Sequence, residues 1–211
     1  MNHSEPLRSL AKHVYTVNMP TDTTADRILA AAHALFDAHG AEAVTMRRVA
    51  ADVGLSAMAI YRHFPNREAL LARLSNDSFE DAARTWASHA RQHDPHRRLL
   101  AMLESYLDYA LTHPHLFDHA FGLPRDDARR FPEDFRARRS PTLNLIADAI
   151  AEGMAQGTLR TLDEWDLAMD LWAHAHGLIA LYRGGRFSFD EKRFRTFYLA
   201  SLGRTIDAFA P

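Results

Sequence analysis

The sequence predicts an all-α protein of eight to ten helices. Apolar residues recur at helical spacing through almost all of the chain from residue 24 onward, and no stretch of useful length alternates polar and apolar residues. Proline, glycine and capping residues divide this pattern into segments of helical length. With 211 residues, the chain is long enough for one large domain or for two small ones that share an interface.

The chain divides into a tail and two helical regions. Residues 1–23 are mostly polar and predict a flexible tail, in which Met19 is a second candidate for the biological start. Residues 24–70 predict a small N-terminal domain, and residues 71–211 predict a C-terminal helical bundle.

The first predicted helix begins near Thr24 and ends before Gly40, since glycine readily takes the left-handed conformation that follows a helix end. One face of this helix is expected to point inward, and it carries Ile28, Leu29, Ala32, Leu35, Phe36 and His39.

Two short helices follow, joined by a tight turn. Thr45 stands where the cap of the first belongs, and Ser56 stands where the cap of the second belongs. Gly54 separates the two helices, and the second reaches Phe64. Asn66 is then the predicted cap of a long helix.

The second half of the chain is also helical. Its predicted elements are a helix opened by Pro95, a short piece from Pro114 to Phe121, a polar connection over 122–131, a helix over 132–156 broken or kinked at Pro141, and two helices over 163–183 and 190–209.

The pair of short helices is a unit that can read DNA. A helix, a tight turn containing glycine and a second helix can place that second helix in the major groove. Ile60 and Phe64 would anchor it from behind, which leaves an outer face with Ala57, Met58, Ala59, Arg62 and His63. Residues 45–73 carry five arginines against two acidic residues, a net charge of +3 in a chain whose total is -2. Positive charge is therefore concentrated at this motif, as phosphate binding requires.

The stretch GLSAMAIYRHFPNREALL, residues 54–71, resembles the TetR/AcrR family of transcriptional regulators. Residues 24–75 are similar to that family's three-helix helix-turn-helix domain. The resemblance implies that Thr45 donates to a phosphate, that Tyr61 and Arg67 contact the DNA backbone, and that Arg62 and His63 reach base edges or phosphates. The full predicted DNA-binding set is Thr45, Arg47, Arg48, Ser56, Ala57, Met58, Ala59, Tyr61, Arg62, His63 and Arg67.

Two departures from the family pattern affect this prediction. Ala57, Met58 and Ala59 can touch thymine methyl groups but cannot hydrogen-bond to bases, so specificity would rest more on Arg62, His63 and DNA shape. Arg48 replaces an acidic residue that is frequent in the family, and is either an additional phosphate contact or a solvated surface arginine.

The C-terminal half resembles the family only weakly, and there the family implies ligand binding and dimerisation. The stretch LWAHAHGLIALYRGGRF, residues 171–187, is similar to a Trp…His-Gly-Leu signature of one subgroup. The helix around it carries two adjacent apolar stripes, which predicts burial on two sides. With the last helix it predicts a four-helix homodimer interface and hence a palindromic operator. The alternative is that both helices only line the core of a monomer.

The resemblance also implies a pocket for a small-molecule effector of unknown identity. An aromatic-rich lining suits an apolar or amphipathic molecule. Its candidate residues are Leu103, Tyr106, Leu107, Ala110, Phe117, Phe121, Ile146, Trp172 and His176. His176 either hydrogen-bonds the ligand or satisfies a neighbouring backbone carbonyl.

Enzyme and metal functions are not predicted. Cysteine is absent, and the chain lacks a nucleophile elbow, a phosphate loop and a dinucleotide glycine pattern. His115 and His119 could share a helix face, but no glutamate follows His115, and no metal or cofactor is expected. His174 and His176 are two residues apart and should point to different sides of their helix.

No apolar run has the length that a membrane span needs, and a cytoplasmic location is expected. The sequence thus predicts a ligand-responsive, homodimeric DNA-binding repressor. An activator of the same fold remains an alternative, as does a helical adaptor that has lost DNA binding.

Overall fold

A computed structural model of the chain describes residues 23–89, 92–121 and 128–211, and this part is all-α, without strands. Its elements are α1 (Thr24–His39), a 3-10 turn (Ala41–Ala43), α2 (Met46–Asp52), α3 (Ala57–Tyr61), α4 (Arg67–Ser88), α5 (Pro95–Thr112), α6 (Pro114–Phe121), α7 (Glu133–Arg136), α8 (Pro141–Ala155), α9 (Glu164–Arg183) and α10 (Glu191–Asp207). The predicted fold class is confirmed. The predictions for the tail, including Met19, and for most of the 122–131 connection lie outside the described residues.

Side-chain caps set the helix starts of the N-terminal region. Thr45 accepts a hydrogen bond from the backbone N–H of Arg48 at 3.2 Å, and Ser56 accepts one from Ala59 at 3.2 Å. Asn66 accepts one from Ala69 at 2.7 Å and so begins α4. The predicted caps are confirmed because each supplies an oxygen to an N–H that has no partner within its own helix.

Prolines set the later boundaries. Pro95 and Pro141 each occupy the first position of a helix, where the missing N–H costs nothing. The predicted helix over 132–156 is therefore two helices, α7 and α8, with the break before Pro141.

The N-terminal core forms where α1, α2, α3 and the first turns of α4 meet. It is built around fully buried side chains such as Ile28, Phe36, Val49, Ile60 and Leu70. The prediction that His39 points inward is wrong, since this residue is exposed in the last turn of α1.

The C-terminal core is larger and is formed by α5, α8, α9 and α10, with one face of α6. It includes Leu99, Leu103, Leu171, Phe194 and Tyr198, all of which are buried. The Tyr198 hydroxyl donates to the backbone oxygen of Leu103 at 2.8 Å, which fastens α10 to α5.

Helix α6 belongs to both cores. Leu116 is buried in the N-terminal core, and the next residue, Phe117, is buried in the C-terminal core. On the side of α1, the His119 ring meets the Phe36 ring edge-on at 5.4 Å. A displacement of α6 would therefore be felt in both regions.

Within the described ranges, the chain forms no helix that is both long and apolar enough to cross a membrane.

Candidate nucleic-acid interface and ligand cleft

The turn between α2 and α3 is closed by the backbone and fastened by an arginine. Gly54 has φ +70°, a conformation that side chains disfavour, and the next N–H, of Leu55, donates to Ala50 O at 2.9 Å. Arg27 of α1 donates from Nη2 to Val53 O at 2.9 Å. The angle between the two short helices is thereby tied to α1. Sequence reasoning did not identify Arg27.

Helix α3 has one buried and one open side. Ile60 is fully buried and Phe64 is buried behind the helix, as predicted. On the opposite side Met58 is 75% exposed and Tyr61 is 47% exposed, and these are large apolar residues that a folded protein usually covers. This side of α3 can therefore contact a DNA groove without any rearrangement of the protein.

Three arginines lie close to this open side in the sequence. Arg47 and Arg48 lie in the first turn of α2, and Arg62 directly follows α3. All three are exposed, and within the described ranges their side chains form no hydrogen bond or ion pair. They are consequently available to phosphates or base edges.

Arg67 differs from these three. Its Nε donates to Val44 O at 2.8 Å and its Nη2 donates to Ala41 O at 2.6 Å, so that it links the start of α4 to the segment between α1 and α2. The side chain is half-buried. The structure thus gives Arg67 a task inside the protein, and its predicted contact with the DNA backbone remains a prediction.

The predicted DNA-binding residues lie on α2, on α3 and on the segments flanking them, except Arg67, which is the first residue of α4. The exposed members are Thr45, Arg47, Arg48, Ser56, Met58, Tyr61, Arg62 and His63, and the half-buried ones are Ala57, Ala59 and Arg67.

In the C-terminal region, a cleft of about 450 Å³ opens between α6 and α9. It is lined by Phe117, Asp118, Phe121, His176, Ala180, Arg183 and Gly184. The Phe117 ring stacks on the imidazole of His176, with centroids 5.2 Å apart and planes 19° apart. Three of the predicted pocket residues, Phe117, Phe121 and His176, therefore line one cleft.

Behind this cleft lies a polar chain, a series of three hydrogen-bonded side chains. Trp172 Nε1 donates to the Tyr106 hydroxyl at 3.1 Å, and that hydroxyl lies 3.0 Å from His176 Nδ1. Burial raises the pKa of Tyr106 far above its ordinary value and lowers the pKa of His176, so both side chains are neutral near pH 7. The expected alternative, a hydrogen bond from His176 to a backbone carbonyl, is not what the structure shows.

At the far end of the cleft lies an arginine whose charge is paired with a carboxylate. Arg183 donates to both carboxylate oxygens of Asp118, at 2.7 and 2.9 Å, and to Pro114 O at 3.2 Å. Its guanidinium also lies over the Phe117 ring, 5.2 Å from the centroid. Sequence reasoning missed Arg183 and Ala180, although helical spacing places residues four and seven positions after His176 on the same face.

The other predicted pocket residues lie elsewhere. Leu103, Leu107, Ala110 and Ile146 are buried in the closed core and line neither cavity described for this chain. Trp172 lines a second, smaller cavity of about 120 Å³ together with Phe121.

His174 and His176 point to different sides of α9, as predicted. The His174 ring nitrogens lie 3.1 Å from Ser201 Oγ and 2.8 Å from Thr205 Oγ1, both on α10.

Two family models match the chain. The model for bacterial regulatory proteins of the tetR family matches residues 28–74, and the model for a tetracyclin repressor-like C-terminal domain matches residues 99–202. These matches span both cores.

Individual proteins of known sequence or structure are also similar to this chain. The HTH-type transcriptional regulator Rv1816 of Mycobacterium tuberculosis is 27% identical over 130 residues, 60% of this chain and 55% of that protein, so the chain spans about half the length of the curated relatives it matches. The HTH-type transcriptional repressor DrrR1 of Streptomyces coeruleorubidus is 46% identical over 48 residues, 23% of this chain and 18% of that protein. A solved protein of unknown function from Rhodococcus sp. RHA1 shares the fold with a TM-score of 0.71 at 21% identity, covering 89% of this chain and 97% of that one.

Proposed function

Because the chain belongs to the TetR family of DNA-binding transcriptional regulators, which are not enzymes, we propose that it is a homodimeric repressor released from a palindromic operator by a small-molecule effector. The observation that carries this proposal is the open side of α3, where Met58 and Tyr61 are exposed beside cations that have no partner in the described part of the chain. Such a regulator acts where the chromosome lies, so the proposal places it in the cytoplasm.

The exposed residues of α2 and α3 are proposed to make different kinds of contact with DNA. Met58 and the flanking alanines would contact thymine methyl groups, and Arg62 would reach a base edge or a phosphate. Arg47 and Arg48 would bind phosphates and fix the register of the helix in the groove. Sequence preference would thus depend mainly on few side chains and on DNA shape.

The homodimer is proposed to form through α9 and α10. Leu181 is 49% exposed on α9, while Leu171 and Ile179 of the same helix are buried within the chain. A Cβ added at Gly177 in α9 or at Gly203 in α10 would meet no described atom within 4 Å other than the adjacent residues and the nearby backbone of its own helix. A glycine inside a helix costs about 0.5–1 kcal/mol relative to alanine, and close approach of a partner helix would explain why both are present.

The effector is proposed to act through α6. A ligand in the cleft would touch Phe117 and Phe121, while Leu116 of the same helix lies in the N-terminal core, which is the core of the DNA-reading region formed by α1, α2, α3 and the first turns of α4. Helix α4 would act in parallel, because Leu70 lies in the N-terminal core and Trp86 of the same helix lies in the C-terminal core. For release, the ligand must bind more tightly to the conformation in which the two reading helices no longer match the operator.

The test is a fluorescence-anisotropy titration of the purified protein against the DNA upstream of its own gene, beside a scrambled duplex, at several salt concentrations. The proposal predicts tight binding that favours the native duplex and weakens steeply as salt rises. Inserting about half a helical turn between the two half-sites should abolish it, because a two-fold dimer needs its half-sites on the same side of the DNA, one helical turn or a multiple of it apart.

The control for charge alone is Arg186→Ala, which removes an exposed arginine between α9 and α10. It should leave the anisotropy curves unchanged. Equal, weak binding to both duplexes would contradict a role at this operator. Transcription in vitro from the same DNA then separates the two regulators: a repressor lowers the transcript level, and an activator raises it.

A further inference from the structure

The polar chain behind the cleft fixes where its protons lie. The indole N–H of Trp172 can only donate, so the Tyr106 oxygen accepts it. Tyr106 is 5% exposed, and His176 Nδ1 is the one acceptor described for its own hydroxyl proton. A buried hydroxyl that can donate does so. Tyr106 therefore donates to His176 Nδ1.

This arrangement selects one tautomer of His176. A neutral imidazole carries a single N–H, and when Nδ1 accepts, the proton is on Nε2. Burial lowers the pKa of His176, which keeps the ring neutral. No described group pairs with Nε2, and His176 lines the cleft. The cleft therefore offers a donor that is fixed by two residues standing behind it.

The remaining lining is apolar or neutralised. Phe117, Phe121 and Ala180 supply aromatic and aliphatic surface. Arg183 and Asp118 form a bidentate pair, so that together they add no net charge. The cleft therefore offers no uncompensated charge with which an ionic ligand could pair, and moving an ion into it would cost hydration energy without that return. The volume of about 450 Å³ lies in the range typical of small-molecule sites.

We propose that the cleft binds a neutral, mainly aromatic molecule with one hydrogen-bond acceptor, such as a ketone or ester carbonyl, and that His176 Nε2–H is the group that recognises it. This inference rests on the proposed function only in that it names the chemistry of the effector. The tautomer and the binding can be measured on the free protein, without DNA.

The first experiment measures the tautomer. The full chain is labelled with ¹⁵N-histidine, and a long-range ¹H–¹⁵N correlation spectrum shows which ring nitrogen carries the proton. The His176 signals are identified by their loss in His176→Phe. The expected result is a neutral ring protonated at Nε2, and Tyr106→Phe should convert it to a mixture of tautomers. A ring protonated at Nδ1 in the unmodified protein overturns the proposal.

The second experiment measures selectivity with probes of equal shape. Binding of 2-acetylnaphthalene is compared with that of 2-ethylnaphthalene, which lacks the carbonyl, and with that of 2-naphthoate. The ratio of the two neutral probes' dissociation constants should change about tenfold between the unmodified protein and His176→Phe, as one net hydrogen bond implies. His174→Phe, on the same helix but directed to α10, should leave the ratio unchanged. Thermal melts establish that each variant is folded.

Three results of the binding experiment would contradict the proposed class of ligand. An unchanged ratio in His176→Phe, tighter binding of the carboxylate, or no binding of the ketone at millimolar concentration would each overturn the ligand class. Operator binding by the same samples reports separately on the regulator. Loss of operator binding with the predicted ketone selectivity intact would contradict the proposed function and leave the chemistry of the cleft standing.

Discussion

Replacing Arg67 separates two tasks that a single arginine can have. The sequence pattern assigns Arg67 to the DNA backbone, whereas in the structure it holds Val44 O and Ala41 O. Arg67→Ala removes both hydrogen bonds. Arg67→Lys keeps the charge but cannot reproduce the planar fork that reaches two carbonyls at once.

The size of the effect follows from these two contacts. A hydrogen bond from a charged donor contributes about 1.5–3 kcal/mol when it is well shielded. Because Arg67 is half-buried, water can replace part of each bond. We therefore expect Arg67→Ala to lower the free energy of unfolding by about 2 kcal/mol in total, and Arg67→Lys by roughly 1 kcal/mol.

Two assays on the same samples test this reasoning. Urea unfolding measures the stability, and the dependence of DNA affinity on salt measures how many phosphates are contacted. The matched control is Arg48→Ala, whose exposed side chain should change the stability by less than about 0.5 kcal/mol. The reasoning is refuted if Arg67→Ala leaves the unfolding curve unchanged and lowers the salt slope by about one unit, the result expected of a phosphate ligand.

Three further perturbations have defined outcomes. Arg62→Ala should weaken binding to the native duplex by about 1–3 kcal/mol more than binding to a scrambled one in anisotropy titrations, and an equal loss on both would limit Arg62 to phosphates. Gly177→Ala should raise the free energy of unfolding of the monomer by about 0.5–1 kcal/mol yet weaken the dimer in sedimentation experiments, whereas an unchanged dimer would place the interface elsewhere. Burial depresses the pKa of His33 below 6.5, so the unfolded state takes up this proton first and the protein should lose stability as the pH falls below about 6.5. Urea unfolding at a series of pH values measures how steeply the free energy of unfolding depends on pH. His33→Asn should reduce this dependence, and an unchanged dependence in the variant would mean that other groups cause it.

The local boundaries could be predicted from sequence because each depends on one residue and its near neighbours. Thr45, Ser56 and Asn66 cap their helices through contacts only three residues away. Pro141 begins α8 because its fixed φ suits the first helical position and its missing N–H has no helical partner there, which holds in any fold.

The features that sequence reasoning could not supply depend on distant partners. Leu103 and Phe117 both look like pocket residues in sequence, but packing closes the core around Leu103 and leaves a cleft beside Phe117. Likewise, nothing near Arg67 in the sequence shows that two carbonyls more than twenty residues away lie within its reach.

The position of Leu116 has a consequence for protein engineering. Its side chain, from α6, is 2% exposed and completes the hydrophobic core of the DNA-reading region. That region is therefore not a transplantable module. A chimera that exchanged only the residues before α5 would join a foreign reading region to a resident Leu116, and a fragment ending with α4 would lack this side chain altogether. To recombine DNA specificity and ligand specificity between relatives, the crossover would have to carry α6 along with the region that reads DNA.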